Sequence, residues 1–459
     1  WVDTVWDLDF TETEPLDARI AEEITADGLG SFTCLYRALA PFAAGQDSRE
    51  NIWTLLAESS LSHQALVAVL HHFVHEGHHK RATTQQRVFG LHSAGLYLLL
   101  LEIPGSIVNQ VFHQVMFDKC LLILTKCWPQ ELRKRKKAHT QSSQPSARRN
   151  RKKGKPCRNE TSSVQCLCKN EEEDGEGVYF STEDLLQVRN AIFLLLQNFL
   201  RLLLSFSLKE KPECILNCLQ VFVDMISFEP VPHEFEFSAA MDVNKAKYIP
   251  ELACYGLRSL CSPLHGMEDE ILRCMFQMLL SVILMVQSSE GSRPGAISIT
   301  SAMTSARNLA VKFISSLVDE LKEAVYPVLR ILLQHICAKV PDKADYRTSA
   351  AQALVTLLDK LPCAEFTDFI AWLYKYSLNQ KVSYRVFALD AALALLELPE
   401  RSPDSSLSQD RQRFLKHKFL VQVMVLGHCS DISPVVRGKA LSSFAQCLEM
   451  KAASILESI

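Results

Sequence analysis

The chain has 459 residues, a formal net charge of −3, 48% hydrophobic side chains and 22% charged ones. That balance excludes a chain disordered throughout and a uniformly basic nucleic-acid binder, and the length allows about three average domains or one long solenoid. Its 16 glycines fall well below the ~7% usage of an average protein, which disfavours tight turns and favours helices.

The start, Trp1-Val2-Asp3-Thr4-Val5-Trp6-Asp7, is acidic and aromatic, unlike a signal peptide. Absence of an initial Met, and a helical pattern (Ala440–Leu456) running to the other end, give the look of a piece cut from something longer. The apolar runs Leu96–Leu101 and Met278–Val286 are far shorter than the ~20 residues of a membrane span, so no membrane association is expected.

Residues 1–130 form a first helical region. It contains His71, His72 and the run His75-Glu76-Gly77-His78-His79, which matches the H-E-x-x-H pattern of zinc hydrolases. Gly77 weakens a helix there and no third ligand follows at a known spacing, so a polar, exposed helix end preceding Arg87 is the better reading.

Residues 131–180 break the apolar pattern. Arg133, Lys134, Arg135, Lys136 and Lys137 open the segment; Arg148, Arg149, Arg151, Lys152, Lys153 and Lys155 form a second basic block, and Glu171-Glu172-Glu173-Asp174 reverses the sign. Like-charge blocks without apolar periodicity read as a disordered linker. Two basic blocks ~10 residues apart fit a bipartite nuclear-import signal, an auxiliary DNA contact, or both, against a merely solvated linker. Cys157, Cys166 and Cys168 lack paired C-x-x-C zinc spacing, and other cysteines (Cys214, Cys218, Cys254, Cys261, Cys274, Cys337) sit in apolar patterns as reduced, intracellular thiols would.

Residues 181–459 repeat. Counting from Arg307, Arg347, Arg385 and Arg437, the third following residue is Ala310, Ala350, Ala388 and Ala440, and the fourth Val311, Ala351, Leu389 and Leu441. The seventh is Ile314, Leu354, Ala392 and Phe444; the eleventh is Val318, Leu358, Leu396 and Leu448. Those offsets mark one helical face, small near its start so that a neighbouring helix can approach. The origins are 40, 38 and 52 residues apart (347 − 307, 385 − 347, 437 − 385), close to the ~40–47 of HEAT and armadillo units except where Arg401–Asp410 intervenes. Partner helices are expected at Glu270–Val286, Leu321–Ala338, Phe366–Ser377 and Phe414–Leu426, and a weaker copy follows Arg87 (Gly90, Leu91, Ala94, Leu98). Ser433 and Pro434 suit a cap and first turn. The fold class is therefore all-α, a HEAT/armadillo-like solenoid interrupted by a charged linker and expected to continue beyond residue 459.

An arginine near each second helix's start fits packing between turns better than a stripe for DNA. Ser402, before Pro403 in a polar stretch, is a candidate proline-directed phosphorylation site. There is no G-x-x-x-x-G-K-[ST] loop, and no Ser/His/Asp or Cys/His set rises above chance, so no catalytic, cofactor or metal residue is assigned and no enzyme is expected.

Val2–Trp6, Leu91–Tyr97, Lys247–Ala253, Ile331–Ala338 and Phe369–Ser377 resemble the D-type non-SMC HEAT subunit of condensin II, nearly end to end within that subunit's N-terminal portion. The resemblance implies a non-catalytic scaffold in a complex with a kleisin, two SMC ATPases and a second HEAT subunit. It further implies a nuclear protein of mitotic chromosomes that engages chromatin DNA and methylated histone H4 in condensation and segregation. An importin-like adaptor reading basic peptides is the alternative, for which no repeated Trp/Asn motif is found.

Overall fold

The computed structural model describes residues 16–43, 52–58, 62–105, 108–128, 180–238, 241–286 and 299–456, although the side chains of residue 57 and of residues from 450 onward are not described. Among them every regular element is a helix. The described residues begin with three helices: α1 (Ala18–Asp27), α2 (Leu29–Ala43) and α3 (Ile52–Glu58). Antiparallel pairs follow, each with a first and a second helix. They are α4 (His63–Gly77) with α5 (Thr84–Glu102), and, after the short α6 (Val108–Val111), α7 (Gln114–Lys126) with α8 (Thr182–Leu202). Next come α9 (Pro212–Met225) with α10 (Ile249–Leu260) and α11 (Glu268–Ile283) with α12 (Ser301–Leu321). The last are α13 (Tyr326–Lys339) with α14 (Ala344–Asp359), α15 (Cys363–Ser377) with α16 (Val382–Leu395), and, beyond the one-turn α17 (Gln409–Gln412), α18 (His417–His428) with α19 (Pro434–Leu456).

Second helices pack on second helices along α5, α8 and α10 and again along α12, α14, α16 and α19; first helices do the same from α4 to α18. That two-layer, nearest-neighbour arrangement is a helical solenoid. The α5–α8 contact crosses the boundary between the expected first and second helical regions, so the solenoid is continuous there. The charged segment 131–180 falls between the paired helices α7 and α8, outside the described residues except for Phe180.

The repeat phase holds. Ala310, Ala350, Ala388 and Ala440 are all fully buried, as are Ile314, Leu354 and Ala392, and the copy after Arg87 buries Leu91, Ala94 and Leu98. The last unit departs from the pattern: Leu441 and Leu448 are more than half exposed, because no further helix covers that side of α19 among the described residues. The expected helix Leu321–Ala338 is also corrected. Leu321 ends α12, Lys322 takes a positive φ of 48°, a 3-10 turn spans Lys322–Ala324, and α13 starts at Tyr326 with Pro327 in its first turn. Likewise Arg401–Asp410 is not a loose break. Arg401 donates to the carbonyls of Leu361 (2.5 Å) and Asp359 (2.7 Å), its guanidinium lies 4.0 Å from the Phe366 ring centroid, and Leu407 is buried.

Two local devices fix the α4–α5 crossing. Thr83 and Gln86 form a reciprocal capping box at the start of α5 (Gln86 N–H to Thr83 Oγ1, 3.2 Å; Thr83 N–H to Gln86 Oε1, 2.9 Å). Gly77 and Gly90 meet face to face: a Cβ on Gly90 would lie 2.8 Å from the Phe73 carbonyl oxygen and 2.6 Å from Ile123 Cδ1. Gly77 is thus the close-contact residue of a helix it remains part of, and not just the weak point at which that helix turns. A different device covers α8, α10 and α12, against which the irregular stretches 227–238 and 241–248 pack. Arg189 grips Glu229 at 2.7 and 2.8 Å, Gln197 donates to the Val243 carbonyl, and Lys312 donates to the carbonyls of His233 and Phe235 and to Glu236, each at 2.8 Å.

The register arginines lock successive units. Arg307 donates to the Ser349 carbonyl on α14 (2.7 Å), Arg347 to Asp390 on α16 (2.8 Å) and to Asp342 in its own turn (2.5 Å). Arg385 makes a two-point pair with Asp431 before α19, both contacts 2.9 Å, with side chains 13% and 8% exposed. Burial pushes the Asp431 carboxyl up, but bonds from Arg385, the Ser433 N–H and His428 outweigh it and hold it at about 2. Through that bond to the Ser433 N–H, Asp431 also orders the turn in front of Pro434.

Removing one partner of such a pair leaves the other charge buried, a loss of roughly 2–4 kcal/mol. Arg385→Ala or Asp431→Ala should therefore lower Tm by several degrees, while neutralising the exposed Arg273–Asp269 pair changes stability by less than ~0.5 kcal/mol. Because the Asp431 value is depressed, the bridge contributes fully above the unfolded carboxylate's ~3.9 and is lost as pH falls toward 2, so the Tm gap between wild type and Asp431→Ala should close over that window. Gly90→Ala, which pushes a Cβ into backbone, should cost ~1–3 kcal/mol by thermal or urea melting.

Candidate functional site

The eleven basic residues from Arg133 to Lys155, the acidic run Glu171–Asp174 and the cysteines Cys157, Cys166 and Cys168 lie outside the described residues. The two ends of that segment are described, and one residue holds both. Arg87, buried at the start of α5, donates to the carbonyls of Lys126 (3.1 Å) and Cys127 (3.0 Å), where the chain leaves α7. The same guanidinium lies 4.8 Å from the centroid of the Phe180 ring, where the chain returns. Its Nε donates to the Ala82 carbonyl, and the departing Trp128 stacks on Phe228 at 4.8 Å. Arg87 therefore does for the base of the charged segment what Arg307, Arg347 and Arg385 do between units.

The H-E-x-x-H residues straddle the end of α4. His75 is in the last turn, Gly77 closes the helix and His79 follows it, the two rings nearly perpendicular with centroids 4.8 Å apart. Among the described residues no three His, Cys, Asp or Glu side chains are placed to share a metal ion. The histidines instead surround Lys119 of α7, whose Nζ lies 2.8 Å from His71 Nε2. Burial, then Lys119 and the neighbouring rings, push the His71 imidazole down to about 4. His72, His75 and His78 are shifted the same way, again chiefly by burial. At neutral pH this is a set of neutral rings around fixed ammonium groups, without an activated base. His75→Ala with His79→Ala should thus leave the zinc content of purified protein unchanged; a stoichiometric ion lost in the double variant would contradict this geometry.

Ser402 is exposed, as phosphorylation requires, and sits beside the anchored Arg401. The buried thiols Cys120, Cys218, Cys254 and Cys337 are pushed up by burial, which makes them packing groups and not nucleophiles. No helix among the described residues is long and apolar enough to cross a membrane.

The fold and its register arginines define the class: an α-helical repeat protein. Residues 1–203 match the family model described as Condensin-2 complex subunit D3-like, N-terminal domain. Over its whole length the chain is 57% identical to "Condensin-2 complex subunit D3" of Mus musculus and 53% identical to "Condensin-2 complex subunit D3-L" of Xenopus laevis, spanning 31% of each. That similarity runs the whole length of this chain and takes in less than a third of either relative.

Proposed function

We propose that the chain is a non-catalytic scaffold segment of a condensin-2 complex, which holds a kleisin and, through it, the SMC ATPases and a second HEAT subunit. The observation that carries this reading is similarity above half identity along every part of a chain folded as one helical solenoid. A solenoid offers long surfaces on both layers and no enclosed reaction centre, which suits assembly and not turnover. The complex would act in the nucleus and on mitotic chromosomes, in contact with chromatin DNA and methylated histone H4. In this reading the blocks Arg133–Lys137 and Arg148–Lys155 direct nuclear import and add a DNA contact, and Ser402 is open to a proline-directed kinase.

Co-expression of the chain within its intact subunit with the kleisin should give a complex that survives gel filtration; if no kleisin segment is retained, the scaffold reading fails. Deleting 133–155 should weaken duplex DNA binding and flatten its salt dependence by up to ~0.9 per contacting cation lost, with the helical circular dichroism unchanged. An unaltered slope across a salt titration would remove DNA contact from the roles of the blocks and leave import alone.

A further inference from the structure

The end of α4 and the outer side of α7 make a second cationic surface, on the folded solenoid itself. Lys119, Leu122 and Lys126 recur at offsets of three and seven along α7, with Lys126 exposed and Leu122 44% exposed. Facing them, His75 and His78 are half-buried, while His79, Lys80 and Arg81 are exposed on the turn that leaves α4. The charges share one field: Lys119 acts on His71, His75 and His78, and Lys126 acts on His78. The acidic group facing them on α4 is Glu76, 4.0 Å from His79; Asp118 of α7 is engaged with Asn217 and Cys214. Packed against α4 from α5 is the buried cation Arg87, and α6 brings no ionisable side chain. Burial is the main cause of the lowered His71, His75 and His78 imidazoles, and Lys119 and the neighbouring rings push them the same way, so an anion at this surface would relieve the electrostatic part of the shift.

From this we infer that the α4–α7 surface docks the phosphodiester backbone of duplex nucleic acid, and that binding draws protons onto its histidines. The inference rests on the chromatin reading above and adds a contact that the basic blocks do not include. A polyanion fits better than a single phosphorylated side chain. Phosphomonoester sites depend on two-point arginine clamps, and here Arg81 is the one exposed guanidinium, beside lysines and imidazoles spread along two helices. Such a spread matches phosphates at regular spacing. Position agrees: the chain leaves α7 beside Lys126, and Arg133–Lys137 begins five residues after Trp128.

The test uses the full chain, a random-sequence duplex followed by fluorescence anisotropy, and a phosphothreonine peptide as comparator. Lys80→Gln with Lys126→Gln, both exposed and therefore harmless to folding, should weaken duplex binding about 5–10-fold and reduce the salt slope by roughly 2. The same factor should appear in the chain lacking 133–155, since the two sets of cations act independently. Lowering pH from about 7.5 to about 6 should tighten binding several-fold, because bound phosphates favour protonation of His75 and His78, which burial and the neighbouring charges disfavour; His75→Gln with His78→Gln should flatten the profile. Unchanged affinity and slope in both backgrounds overturn the inference, and so does loss of phosphopeptide binding with duplex binding intact. A patch effect without any effect of deleting 133–155 removes the blocks as a contact and keeps the surface. If the chain ignores duplex altogether the surface inference falls, while kleisin capture, measured separately, still decides the scaffold reading.

Discussion

A buried guanidinium at the start of a second helix, reaching forward to the next unit, is the interaction on which the solenoid depends. In a repeat protein each unit touches only its neighbours, so no distant contact corrects a slipped interface. The alanine face of α12, α14 and α16 permits close approach but says little about register, because small side chains slide past one another. Arg307, Arg347 and Arg385 supply what the alanines lack: each has an acceptor at one place on the following unit, the Ser349 carbonyl, Asp390 or Asp431. Desolvating the guanidinium is expensive, so a displaced unit would forfeit its bonds and keep the penalty. Arg307, whose acceptor on the next unit is a carbonyl and not a carboxylate, is shifted down by burial.

The same device explains how the solenoid tolerates about fifty residues of charged sequence between α7 and α8. Loop length alone adds little closure cost, since it grows only logarithmically. What matters is that exit and return points stay together, and Arg87 holds both, bonding the carbonyls at the end of α7 and lying over Phe180. The helices on either side, α7 and α8, then stay in contact, and α8 also packs on α5. A segment anchored so firmly at its base is free to carry a composition that no packed core would accept.

How much of this was legible in the sequence follows from which forces are periodic. The offsets from Arg307, Arg347 and Arg385 mark the buried face correctly because helix geometry and burial impose the period. Arg87 was visible only as a weaker copy, and its partners are carbonyls, which leave no trace in side-chain identity. The break at Lys322 escaped because a lysine with positive φ has no signature, and the apolar pattern runs through Leu321 without pause. Arg401–Asp410 looked like a loose insert since its stabilising bonds again go to backbone, on Leu361 and Asp359. Gly77 was read as a weak point in a helix, when its missing Cβ is what lets α5 approach at Gly90. The stretch 227–238, held by Lys312 and Arg189, has no period at all. Exposure of Leu441 and Leu448 depends on what covers α19, which the phase of α19 cannot tell.

This division bears on where a partner could bind. A cation that fixes register is spent: Arg385 has its donors on Asp431 and on the carbonyls of Asn379 and Gln380 and offers little to a ligand. The repeated arginines therefore cannot double as a DNA stripe without surrendering the interfaces they hold. Cations for recognition must lie off the repeat period, on exposed turns and outer helix faces, as Lys80 and Lys126 do, or in the segment that Arg87 anchors. Because repeat packing constrains only the buried face, such positions can gain or lose charge at little cost to the fold. A solenoid's binding surface is thus chemically independent of the periodicity that reveals the solenoid, and its position has to be read from exposure and charge.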